Sequence, residues 1–216
     1  MIILGKLYVI GIGPGGLDHM TLKAMVKSLI ENKEVVSTGM KGEVERCKKA
    51  LELSKDKTVS IISTGDAGIY GMAGLILELK KDENVEIIPG VTASSSAASV
   101  LGSPIMHDNC NISLSDLMTP YELIKNRIEL AAKGDFVISL YNPRSKGRPH
   151  YLKECLDIIK KHRKGNTPIG VVKNALREGQ EITVTDLDSF NEEIVDMFSI
   201  VIIGNSQSYI KEGKFI

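Results

Sequence analysis

Leu7-Tyr-Val-Ile-Gly-Ile-Gly-Pro-Gly-Gly16 is the stretch on which the fold turns. Four apolar residues in a row end on glycines, and beyond them Leu22, Met25, Val26 and Leu29 recur at helical spacing through residues 21–30. A strand, a glycine-rich turn and a helix in that order open an α/β unit built on a parallel sheet. The order repeats downstream. A weak apolar run at Val35-Val36 precedes a helix over residues 42–54, with Val44, Cys47 and Leu51 on one side. A strand from Val59 ends in a loop at Asp66, a helix covers 71–80, and a strand at 85–88 is closed by Pro89-Gly90.

Small residues crowd into Thr92-Ala-Ser-Ser-Ser-Ala-Ala-Ser99, which predicts a helix able to lie close against a sheet, ended by Gly102 and Pro104. The second half reads as a strand at 112–114, a helix over 121–132, a strand at 136–140 and a helix over 151–162. Three closely spaced strands come next, at 169–172, 181–185 and 199–204. The first half therefore predicts a largely parallel sheet and the second a mixed one, with flanking helices and a lobe boundary near 106–109. The expected lobes are 1–106 and 107–216.

With 216 residues, 43% apolar and 25% charged, the chain has the composition of a globular protein. Lys plus Arg balances Asp plus Glu at 27 each, so no global field favours nucleic acid or an anionic membrane, and any anion site must be local. No apolar run approaches the roughly 18 residues of a membrane span, and the start lacks a secretory leader's pattern. A cytoplasmic location is expected. Cys47, Cys110 and Cys155 are odd in number and widely spaced, with no C-x-x-C, so buried free thiols are expected. The four histidines are scattered, and no metal site is expected.

Gly11-Ile-Gly-Pro-Gly-Gly16 departs from a dinucleotide fingerprint because Pro14 interrupts the turn and neither Glu31 nor Glu34 ends a strong strand. No G-x-x-x-x-G-K-[ST] occurs. In Thr64-Gly-Asp-Ala-Gly-Ile-Tyr-Gly71 the glycine-flanked Asp66 stands at a strand's carboxyl end, where open α/β sheets bind ligands. It is placed either to accept hydrogen bonds from a ribose or an ammonium group, or to cap the following helix. Pro89-Gly-Val-Thr-Ala-Ser-Ser95 is a third such turn, and the three outline one cofactor cleft. Ser139-Leu-Tyr-Asn-Pro-Arg-Ser-Lys-Gly-Arg-Pro-His150 is the local cation cluster: Asn142-Pro143 ends a strand, and Gly147 and Pro149 keep the loop beyond it from becoming helical. It is suited to a substrate with several carboxylates, although a solvated basic turn has the same composition.

These segments, with His107-Asp108 and Ser113-Leu-Ser-Asp-Leu117, resemble in order and over nearly the whole chain the tetrapyrrole methylases of cobalamin biosynthesis, in particular those acting at C17. The resemblance implies a two-lobed α/β homodimer that binds S-adenosylmethionine in the cleft between its lobes. It implies methyl transfer to C17 of precorrin-3B or its cobalt-bearing counterpart, with ring contraction. Carried onto matching positions, the cofactor contacts are Pro14, Gly65, Asp66, Ile69, Ala93, Ser94, Leu140, Tyr141 and Asn174. The chain departs from the family between Ala24 and Ser28, where it is shorter. A strand lost there would leave a sheet edge open.

Methyl transfer from a sulfonium needs chiefly alignment and exclusion of water, whereas ring contraction moves protons and calls for an acid/base group. His107, Asp108 and Asp116 are the candidates. Arg144, Arg148, Lys173 and Arg177 are the expected holders of tetrapyrrole carboxylates, a role that suits the guanidinium fork. The competing readings are methylation at C11 or C20, and a non-catalytic homologue that binds tetrapyrrole or S-adenosylmethionine.

Overall fold

The computed structural model describes residues 5–13, 30–37 and 42–216, and its chain divides into two compact units, Met1–Ala93 and Ser94–Ile216. The expected turn at Pro14, most of the helix expected over 21–30 and the shortening between Ala24 and Ser28 lie outside the described residues.

In the first unit β1 (Lys6–Gly11) is the middle strand of a parallel sheet, flanked by β2 (Thr58–Ser63) and β3 (Val85–Ile88). Its side chains alternate between fully buried, at Leu7 and Val9, and half-buried. The buried face packs with Ile61 against Cys47, Ala50 and Leu51 of α1 (Glu43–Leu53) and Ala73 and Ile76 of α2 (Ala73–Leu79). Gly11 pairs with Ser63 in the ladder, so β1 and β2 end level and their loops leave side by side.

The second unit takes in nearly all of α3 (Ala93–Leu101) and a five-stranded mixed sheet of β4 (Asn109–Ser113), β5 (Val137–Tyr141), β8 (Ser199–Ile203), β6 (Pro168–Lys173) and β7 (Glu181–Asp186), in that spatial order. One face is covered by α4 (Tyr121–Lys133) and α5 (Tyr151–Lys160), whose Ile124, Ile128, Leu152 and Ile159 pack on Ile112, Ile138, Leu140, Ile169 and Val201. On β6, a Cβ at Gly170 would lie 2.7 Å from the Leu101 methyls, so the small-residue helix α3 does lie close against this sheet. Strands β5 and β8 are buried at every residue, as central strands covered on both faces must be. Unanticipated from the sequence is the short hairpin of β9 (Ile210–Lys211) and β10 (Lys214–Phe215), which buries Phe215 fully and accepts the Ser103 N–H on the Phe215 carbonyl at 2.9 Å.

Strand direction sorts the loops. Strands β5 and β6 both run antiparallel to β8, hence parallel to one another, and β4 runs parallel to β5. The carboxyl ends of β4, β5 and β6 therefore share one edge of the second sheet.

Candidate functional site

In the first unit the loops after the three parallel strands meet through backbone. The Gly13 and Gly65 amides exchange hydrogen bonds with each other's carbonyls at 3.0 and 3.2 Å, tying the loop after β1 to the loop after β2. Gly65 holds φ of 70°, a conformation that a residue with a Cβ rarely adopts. From the third loop, Gly90 comes so near that a Cβ there would stand 2.3 Å from the Gly65 carbonyl oxygen and 2.5 Å from Gly11. Gly11 and Gly90 thus have no room for a Cβ, and at these positions the junction presents backbone. Ile69 and Val91 stand exposed in these loops, and the segments 11–13, 63–72 and 89–93 carry no Lys or Arg.

Asp66 occupies this junction without capping a helix. Its Oδ1 accepts the Gly68 N–H at 2.7 Å and its Oδ2 accepts the Gly90 N–H at 2.9 Å, whereas α2 has Met72 at its N-cap and no side-chain cap. Of the cofactor contacts that the resemblance implies, the junction holds Gly65, Asp66 and Ile69, with Ala93 just beyond its third loop.

In the second unit Tyr141, at the end of β5, reaches the start of α3: its hydroxyl donates to Ser94 Oγ and accepts the Ser94 N–H, both at 2.9 Å. Leu140, one residue earlier, faces the opposite way into the core under α4 and α5, so only its backbone is open to a ligand. Asn174 follows β6 at φ of 48°, with its side-chain amide donating to the Gly179 carbonyl at 3.3 Å.

The basic loop leaves the same edge. Arg144 pairs with Glu193 at 2.9 Å and donates to the Glu192 carbonyl at 3.3 Å; Glu193 is 70% exposed, so its hold is that of a surface ion pair. Arg148 is drawn further in. It donates to the Leu114 carbonyl and to Ser145 Oγ, lies 3.7 Å from Asp116 and stands over the Tyr151 ring. Lys173, at the end of β6, is shared by Glu181 at 3.3 Å and Asp196 at 3.2 Å, and these two carboxylates hold its ammonium above the ordinary lysine value. The Arg177 N–H donates to the Asn174 carbonyl at 2.9 Å. All four cations expected to hold carboxylates follow strands whose carboxyl ends share this edge.

The three acid/base candidates are not brought together. Asp116 follows β4 and accepts the Tyr151 hydroxyl at 2.9 Å, beside Arg148. His107 and Asp108 precede β4, about 15 Å away at the strand's other end, where their carbonyls accept from the Asn109 side chain and the Val137 N–H. Tyr151 is the residue that sequence reasoning missed. Its ring stacks on Tyr121 at 3.7 Å while its hydroxyl holds Asp116. Both tyrosines open helices, and that shared position is the sole trace of the arrangement in the sequence. Among the described residues no cluster of three or more His, Cys, Asp or Glu suits a metal ion, and no helix is long and apolar enough to cross a membrane.

The sequence profile of the family described as Tetrapyrrole (Corrin/Porphyrin) Methylases matches residues 26–191. A probable cobalt-factor III C(17)-methyltransferase of Salmonella typhimurium is 47% identical over 233 aligned positions, with 97% of each chain covered. That span exceeds the 216 residues here, so the relative carries residues that this chain lacks. A probable cobalt-factor III C(17)-methyltransferase of Methanocaldococcus jannaschii is 41% identical over 97% of this chain and 95% of its own. The crystal structure of the methyltransferase CobJ superposes with a TM-score of 0.85 at 29% identity, covering 98% of both chains. At 21% identity, the uroporphyrin-III C-methyl transferase of Thermus thermophilus, solved with S-adenosyl homocysteine, shares the fold with a TM-score of 0.63 over 93% of this chain and 92% of its own. With parallel strands ending in a glycine junction in one unit and a mixed sheet edged by cations in the other, this chain belongs to the tetrapyrrole methylases.

Proposed function

We propose that this chain is a cytoplasmic, homodimeric methyltransferase that moves the methyl group of S-adenosylmethionine to C17 of cobalt-factor III, or of metal-free precorrin-3B, with contraction of the macrocycle. The observation that carries the reading is the glycine junction of the first unit. Backbone amides and carbonyls at three strand ends, the exposed apolar Ile69 and Val91, and the lack of cationic side chains suit a ligand with an adenosyl group and a positively charged sulfonium. S-adenosylmethionine supplies an electrophilic methyl group there. Gly65, Asp66, Ile69 and Ala93 of that unit contribute to its binding.

The remaining chemistry falls to the second sheet's cation-rich edge. Arg144 exchanges its exposed Glu193 partner for a peripheral carboxylate of the tetrapyrrole, which costs little because a surface ion pair contributes at most about 1 kcal/mol. Arg148, Lys173 and Arg177 extend the positive field along that edge. Asp116 is the acid/base group whose partners suit proton transfer, since Tyr151 fixes one carboxylate oxygen by hydrogen bond and Arg148 stands by the other. His107 and Asp108 keep a role only where substrate reaches the opposite end of β4.

Purified protein supplied with S-adenosylmethionine and cobalt-factor III is expected to release S-adenosylhomocysteine, and NMR of the product to place the new methyl on C17. A methyl on C11 or C20 reassigns the enzyme within the family, and no release with either tetrapyrrole points to a non-catalytic homologue. Competition between cobalt-bearing and metal-free substrates decides between the two. Sedimentation at micromolar concentration showing only a species of the 23.6 kDa chain mass would remove the dimer.

A further inference from the structure

We infer that the Asp66 carboxylate is a positioning residue: it clamps the loops that follow β2 and β3 to each other, and leaves contact with the methyl donor to their backbone. The inference rests on reading those loops as the donor site. Order in the sheet is what makes a clamp necessary. Strands β2 and β3 are not neighbours, because β1 runs between them, so no ladder joins their ends. The loop after β1 is tied to the loop after β2 by the Gly13–Gly65 backbone pair. Across to the loop after β3 a side chain supplies a link: Asp66 Oδ1 accepts from Gly68 in its own loop at 2.7 Å, and Oδ2 accepts from Gly90, 24 residues on, at 2.9 Å. Both lengths lie within the ordinary range of N–H···O hydrogen bonds.

The glycine at position 90 belongs to the same device. The carboxylate draws the Gly90 amide inward, and only a residue without Cβ can follow, since a Cβ would meet the Gly65 carbonyl oxygen at 2.3 Å. Two acceptor oxygens facing two amides are also a demand that asparagine cannot meet. Its carboxamide offers one oxygen, and its NH2 group would confront a second N–H.

The test titrates the full chain, as Asp66→Asn, Asp66→Ala and wild type, with S-adenosylhomocysteine by calorimetry, and follows Gly68 and Gly90 amide exchange without ligand. Both variants are expected to bind about tenfold more weakly, the equivalent of about 1.4 kcal/mol, and to a similar extent. The KM for S-adenosylmethionine should rise with them, and by more than the KM for tetrapyrrole. The two amides should be protected in the wild type and exchange at least roughly tenfold faster in both variants. If Asp66→Asn keeps wild-type affinity while Asp66→Ala loses it, the carboxylate is a direct ligand of a donor hydroxyl and the clamp is overturned. Exchange of both amides at unstructured rates in ligand-free wild type overturns it as well, whether or not the variants fold. A wild-type chain that protects the amides yet binds no S-adenosylhomocysteine overturns the donor-site reading and, with it, the positioning role.

Discussion

The two ends of the five-stranded sheet each hold arginines, and they are built differently. At the end where β5 begins, the Arg163 side chain is 4% exposed and donates to the carbonyls of Ala132, Phe136 and Gly204 while pairing with Asp135 at 3.0 Å. Asp135 in turn accepts from Ser206, so the last turn of α4 and the start of β5 are tied to the chain leaving β8. At the end where β4, β5 and β6 finish, Arg144 has one exposed carboxylate and one carbonyl for partners. An arginine whose donors are spent on main-chain carbonyls holds the fold. One whose partner is an exposed surface carboxylate has its charge left for something else. Arg148 stands between these cases, with a carbonyl and a serine on one side and Asp116 and the Tyr151 ring on the other.

The contrast is broken most directly at Arg163. Arg163→Ala removes a guanidinium together with its bonds to three carbonyls and its pairing with Asp135, which should cost about 3 kcal/mol and lower Tm by roughly 10 °C in a thermal melt. A fall of less than about 2 °C would show that this end is no more built than the other. Arg144→Gln should do the reverse, leaving Tm nearly unchanged while the KM for tetrapyrrole rises about tenfold. The double change with Arg148→Gln should raise KM further and lower Tm by a few degrees through the lost bond to the Leu114 carbonyl, with cofactor affinity unaffected in both. Normal tetrapyrrole binding by the double variant at low salt would make this a solvated turn.

Tyr151→Phe sharpens the comparison at finer grain. It keeps the ring stacked on Tyr121 but removes the donor to Asp116, so turnover should fall about fivefold with little change in tetrapyrrole KM. An equal fall after Tyr121→Phe, which leaves the Asp116 bond in place, would assign the loss to the stack instead. The smallest effect concerns two thiols, the buried Cys155 and the half-buried Cys110. Burial pushes Cys155 up to about 12 and Cys110 up to about 11, whereas unfolded thiols ionise near 8.5. Above pH 8.5 the unfolded state binds fewer protons than the folded one, so stability should decline as pH rises from there toward 11 and 12. At pH 8 both thiols should resist iodoacetamide until the chain is unfolded.

Apolar runs closed by glycine or proline located β1, β2, β3, β5, β6 and β8 to within a residue or two, and helical spacing located α1, α4 and α5. The small-residue run gave α3 and its close packing, since Ser and Ala leave no bulk to hold a sheet away. The β9–β10 hairpin escaped notice because two-residue strands have no period to detect, and its anchor is one buried phenylalanine. Of the site, the glycine turns and the basic loop were legible as motifs. The allotment of partners within them was not: Asp66 between two amides, Arg148 against Leu114 and Asp116, and Lys173 between two carboxylates.

What the sequence alone determined is the order of elements, the two kinds of sheet and the resemblance to tetrapyrrole methylases, because periodicity, turn residues and motif order are properties of neighbours along a chain. What only the tertiary structure decided is which residues meet. His107, Asp108 and Asp116 lie within ten residues of one another, yet a five-residue strand carries the first two to one end of the sheet and the third to the other. Asp116 and Tyr151 are 35 residues apart and share a hydrogen bond. Strand direction, fixed by a ladder whose partners are far off in sequence, sets the edge at which a loop emerges, and no local pattern encodes it.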